Sequence, residues 1–127
     1  MLPVFFGASL LLPYLSGVPM SCPAEVKTAA EIIAWAEKED LRGLHTKPNV
    51  SSAEHRGRDF RALVVWYNPY SGEAACHVYV YTRDEKKGVW VRQVARVFQD
   101  TQNVSVEFGQ GVTIRDVRGA VVGRFKQ

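Results

Sequence analysis

The chain has 127 residues, a formal net charge of +3 from 16 Lys and Arg against 13 Asp and Glu, and a composition that is 46% hydrophobic and 23% charged. These values lie close to those of average globular proteins and exclude a disordered or fibrous chain. Two cysteines, Cys22 and Cys76, are too few for a disulfide-dense scaffold.

Residues 1–24 hold no charged side chain, whereas acidic and basic residues recur from Glu25 onward. The runs Val4-Phe5-Phe6 and Leu10-Leu11-Leu12 match the apolar region of an export signal, and the small or polar Ser16, Gly17 and Ser21 come after them. The match is incomplete, because Met1-Leu2-Pro3 supplies no Lys or Arg. A membrane anchor and a buried segment of the fold are the competing readings. The length suits a spanning helix, but Pro13 opposes it by removing a backbone donor and clashing with the preceding turn. The expectation is an export signal or apolar leader over 1–24, a mature chain beginning between Cys22 and Glu25, and a secreted or periplasmic location. Cleavage before Cys22 leaves that cysteine N-terminal and open to a lipid anchor, as in bacterial lipoproteins, which Met20-Ser21-Cys22 faintly resembles.

About 100 residues then remain, one domain over 25–127 with a core large enough to fold unaided. In an exported protein the cysteines pair with each other, or Cys76 is a buried free thiol. The first part is acidic, with Glu25, Glu31, Glu37, Glu39 and Asp40 against Lys27 and Lys38, and the remainder is basic. A basic sheet region attracts an anionic partner such as a glycan, a lipid head group or a nucleic acid.

Pro23, with Ser21 as a cap, opens a run of strong helix formers that Gly43 stops. At helical spacing Val26, Ala29, Ala30, Ile32, Ile33 and Ala36 share one side; Trp35 falls on the polar side, over the following loop or as a contact residue. Residues 43–59 show no apolar period and read as a long loop. Asn49-Val50-Ser51 there, and Asn103-Val104-Ser105 later, match the N-glycosylation pattern, which matters only in a eukaryotic secretory pathway.

Strands are expected over 60–67, 74–82, 89–98, 104–108, 112–117 and 120–125, separated by short turns rich in Gly, Asn and Asp. Turns this short make antiparallel hairpins, because a parallel crossover needs a dozen or more residues. The resulting fold class is α+β, one N-terminal helix packed on a five- to six-stranded antiparallel meander. In outline this order resembles cystatin-like domains. The glutamine-valine-glycine loop motif of cystatins is absent, so their inhibitory activity is not carried over.

Chemistry-bearing motifs are missing. His45, His55 and His77 lack metal-ligand spacing, and with the only substantial helix first, no phosphate-binding loop leads from a strand into a helix. Cys76 and His77 are neighbours on a strand and point to opposite faces, which argues against a nucleophile and base pair. No catalytic residue, metal, cofactor or nucleotide is therefore expected. The remaining signal is an aromatic and basic stripe. With Tyr81 opposite Trp90 and Tyr79 opposite Arg92, one sheet face collects Cys76, Val78 and Val80, and the other collects His77, Tyr79, Tyr81, Trp90, Arg92 and Arg96. Tyr, Trp and Arg are the residue types enriched at interaction hot spots, and Tyr79, Tyr81, Trp90, Arg92 and Arg96 form the expected binding site. The function expected is an exported, small, non-catalytic binding or inhibitory module whose partner is a protein or an anionic glycan or lipid surface. The alternatives are a small extracytoplasmic enzyme with a cleft between helix and curved sheet, and a structural envelope component.

Overall fold

The computed structural model of the chain describes residues 22–44, 48–70 and 74–126. The expected leader, up to residue 21, lies outside the described residues, as do His45 and residues 71–73. From Cys22 the chain forms β1 (Glu25–Val26), α1 (Ala29–Trp35) with a π-helical continuation (Ala36–Asp40), β2 (Ser51–Arg56), β3 (Arg61–Tyr67), β4 (Ala75–Asp84), β5 (Val89–Gln99), β6 (Ser105–Phe108), β7 (Val112–Arg115) and β8 (Val121–Phe125). The class is α+β with antiparallel sheets.

The helix begins later than Pro23 suggests. Glu31 reaches back to accept the backbone N–H of Lys27 at 2.6 Å and of Thr28 at 3.0 Å, satisfying donors that a helix start leaves orphaned. Upstream of this stop the chain is extended, and β1 pairs antiparallel with β5, Val26 opposite Trp90. At the other end the turn widens: the N–H of Leu41 donates to the carbonyl of Ala36 at 2.8 Å, and the wider turn carries Asp40 and Leu41 inward.

The strands do not form one meander. They divide into a five-stranded sheet in the order β1-β5-β4-β3-β2 and a three-stranded sheet in the order β6-β7-β8. The outer edge of β5 is occupied by β1 at Trp90 and Val91. Asp100, in the left-handed region at φ 61°, then turns the chain away from the sheet while its N–H donates to the carbonyl of Ala74 at 2.9 Å. Trp66 Nε1 donates to Asn103 Oδ1 at 3.1 Å and fixes the crossing segment against β3. The last three strands therefore pair among themselves and lie over the far face of the large sheet.

Both faces of the large sheet are consequently core. On the near side Ile32, Ala36 and Leu41 pack on Leu63, Val65, Tyr67, Tyr79, Tyr81 and Trp90. On the far side Ala62, Val64, Cys76, Val78, Val80 and Phe98 meet Val104, Val112 and Ile114. Doubly covered strands read as continuous apolar runs, as in Ala62 to Tyr67 and, interrupted only by His77, Ala75 to Tyr81, all buried except Trp66. Strand β2 corrects the expected loop over 43–59. It pairs along its length with β3, and its half-buried Ser51, Ala53 and His55 alternate with exposed Ser52, Glu54 and Arg56. The period of two is present, but it is written in small and polar residues, because an edge strand needs only partial burial.

Candidate functional site

The expected aromatic and basic face is the floor beneath the helix. Tyr79 and Tyr81 are 0% exposed and Trp90 1%, so these three of the five expected site residues are core. The register differs as well. An irregularity between Val80 and Tyr81 places Tyr81 opposite Arg92, Tyr79 opposite Ala95 and Arg83 opposite Trp90. Arg92 is half-buried and holds the N-terminal arm, its guanidinium donating to the carbonyl of Cys22 and its backbone N–H to that of Ala24. Arg96, opposite Val78, lies on the other face of the sheet, exposed, with its guanidinium 5.7 Å from the ring centres of both Phe98 and Phe125. Arg56 and Arg83 stand over Trp90 at 5.6 and 5.3 Å, the cations on an otherwise buried ring.

A buried polar chain runs through this near core. Tyr67 Oη donates to Asp40 Oδ2 at 2.7 Å, and His77 Nδ1 lies 2.9 Å from the same oxygen. Tyr79 Oη is 3.1 Å from Tyr67 Oη, and Tyr70 Oη is 2.9 Å from His77 Nε2. One arrangement of donors and acceptors joins all five side chains: Asp40 Oδ2 accepts from Tyr67 and from His77 Nδ1–H, His77 Nε2 accepts from Tyr70, and Tyr79 donates to Tyr67. The π-helical turn supplies Asp40, and β4 supplies His77, which sequence reading places on an open face and which is 1% exposed. A carboxylate-oriented imidazole is the framework of a general base. Here, however, both ring nitrogens are engaged by protein side chains.

Burial pushes the hydroxyls of Tyr67, Tyr79 and Tyr81 above the ordinary value of 10.0. Burial likewise raises the Cys22 thiol, and it pushes Cys76 up to about 12. The two cysteines are free and lie on opposite faces of the large sheet, so they do not bridge. Cys22 Sγ is 3.3 Å from Tyr81 Oη, which donates to the carbonyl of Pro23 at 2.7 Å. Trp35 packs edge-on against Tyr79 at 5.9 Å, which joins it to the near core.

The surface feature with the composition of a binding site lies on the far side, between the sheets. Strands β4 and β5 run for 10 and 11 residues, whereas β6, β7 and β8 run for only 4, 4 and 5. At about 3.4 Å per residue the small sheet is too short to cover the large one. The uncovered shelf is a cleft of about 520 Å³ whose walls are Phe60, Ala62, Val80, Val94, Val112 and Phe125, with Thr82 and Gln93 at one side and Arg124 and Lys126 at the rim. Gln93 Nε2 donates to Thr82 Oγ1 at 3.0 Å, so these polar groups partly satisfy each other. Arg124, Phe125 and Lys126 also line an adjoining hollow of about 310 Å³ with Gln110, Gly111 and Thr113. Among the described residues neither Arg124, Lys126 nor Arg96 has an ion-pair partner, and no acidic side chain lines either hollow. Of the expected site, Arg96 is the residue this arrangement retains, beside Phe125.

Sequence reading missed the cleft because its walls come from strands far apart in the chain. The one available signal was the pair Arg124 and Lys126 flanking an aromatic residue on the last strand. Compared with family models, with curated proteins and with solved structures, the chain finds no match, and the cystatin-like outline rests on element order alone.

Proposed function

We propose that the chain is an exported, non-catalytic binding module that contacts an anionic partner through the inter-sheet cleft and its basic rim. The observation that carries this reading is the apolar cleft of about 520 Å³ bordered by Arg124 and Lys126, cations with no ion-pair partner among the described residues. Its size falls within the roughly 300–1,000 Å³ of ligand pockets, and apolar walls with a few placed polar groups are their usual lining. Export rests on the uncharged residues 1–24.

The test uses immobilised protein and the extracytoplasmic fraction of its host. The partner retained by the native chain is expected to be lost by the Arg124→Glu, Lys126→Glu variant, whose melting temperature stays unchanged because both side chains are exposed. Undiminished retention by that variant overturns the cleft as the contact surface. The enzyme alternative draws on the Asp40, His77 and Tyr70 chain. It requires that Tyr70 yield His77 Nε2 to a substrate, and turnover abolished by His77→Gln in a folded protein is the result that favours it.

A further inference from the structure

We infer that the cleft accommodates a single-chain anionic amphiphile, an alkyl chain carrying one carboxylate or similar head group. This inference rests on the cleft being the contact surface, as proposed above, and specifies the chemistry that fits it.

The walls decide the tail. Ala62, Val80 and Val94 come from three adjacent strands, β3, β4 and β5, and neighbouring strands are about 4.8 Å apart, so the apolar floor crosses the sheet for roughly 10 Å. Val112 and Phe125, paired across β7 and β8, face it from the small sheet. A trough with apolar side chains on both sides gives its occupant few hydrogen bonds. A sugar or a peptide backbone buried there would leave polar groups unsatisfied, each a substantial loss. Thr82 and Gln93 offset that loss only in part, since one of their hydrogen bonds is already made to each other.

The rim decides the head. Arg124, paired with Thr113, leaves from the outer face of the edge strand β8, and it and Lys126 meet the trough only at its edge, whereas Arg96 reaches the ring of Phe125 from β5 on the trough side; none of the three has a carboxylate partner among the described residues. A neutral hydrocarbon leaves these cations without a counter-charge. An anion at the end of the tail meets them with charge-assisted hydrogen bonds. Apolar trough and cationic end are contiguous, sharing Phe125, so a single molecule of this polarity satisfies both.

The experiment titrates the full chain with dodecanoate, dodecanol, dodecyltrimethylammonium and acetate, each below its aggregation concentration, by calorimetry and by methyl NMR. Dodecanoate is expected to bind one to one and to shift the methyls of Ala62, Val80, Val94 and Val112. Dodecanol and acetate bind at least about tenfold more weakly, each lacking one half of the recognition. Arg124→Gln with Lys126→Gln reduces the dodecanoate affinity at least about tenfold and leaves dodecanol unchanged. Val94→Phe, which fills the trough, removes both, with an unchanged melting temperature showing that the fold is kept. Equal affinity for dodecanoate and dodecyltrimethylammonium, or shifts confined to residues outside the cleft, overturns the inference. If no probe shifts the cleft methyls while the charge-reversed variant still loses its retained partner, the amphiphile is wrong and the cleft reading stands.

Discussion

Asp40 and His77 are 37 residues apart in the chain and 2.9 Å apart in space. The carboxylate comes from the last residue of the π-helical turn and the imidazole from the middle of the large sheet, so this contact clamps the end of the helix onto β4. Tyr67 donates to the same carboxylate oxygen from β3. One half-buried acceptor thus joins three elements.

Removing that acceptor should be costly. Asp40→Ala leaves the Tyr67 hydroxyl and the His77 Nδ1–H without their partner in a buried site, and a loss of about 2–4 kcal/mol is expected. Asp40→Asn should cost less, because its amide oxygen still accepts. Urea unfolding measures both, and an Asp40→Ala variant within about 0.5 kcal/mol of the native chain would show that the cluster is solvated rather than structural.

Trp90 should behave as core. Its truncation to Ala is expected to cost about 3–5 kcal/mol, because the ring is buried under the near core with Arg56 and Arg83 stacked over it. The combined Trp90→Ala, Arg92→Ala variant should lose at least as much, since Arg92 also ties down the Cys22 carbonyl. Chemical denaturation checks this. A double variant as stable as the native chain would make the stripe a surface feature again.

Alkaline pH should destabilise the fold. Cys76 is pushed up to about 12 by burial, from an ordinary value of 9.0, so between those values the folded state keeps a proton that the unfolded state releases. Unfolding then becomes more favourable as pH rises through this window. The buried Tyr67, Tyr79 and Tyr81, also raised by burial, act in the same direction above 10.0. Unfolding free energies measured from pH 8 upward should therefore fall steadily. In the same folded protein both thiols should react slowly with thiol reagents, and rapid labelling of Cys76 would contradict its buried position.

Much of the fold was legible in the sequence. Strands β3 to β8 fall within one or two residues of their expected bounds, because Val-rich and aromatic runs between Gly, Asn and Asp turns signal strands locally. The two largest departures have local causes. Strand β2 hides in Ser51, Ser52, Glu54 and Arg56, whose burial alternates although their hydropathy does not. The helix starts at Ala29 because Glu31 caps it there, while Pro23 belongs to an extended arm.

The sequence by itself determined the class: one helix, then antiparallel strands joined by turns too short for crossovers. It also determined the alternation that separates Cys76, Val78 and Val80 from His77, Tyr79 and Tyr81. Only the tertiary structure decided which of those faces meets solvent, and neither does, because the helix covers one and the small sheet the other. Periodicity reports that side chains point to two sides; it carries no information on what arrives from elsewhere in the chain to cover them. The cleft is a consequence of the same kind. It exists because strands of 4 or 5 residues lie across strands of 10 and 11, an inequality visible in the sequence whose effect depends on the two sheets being stacked.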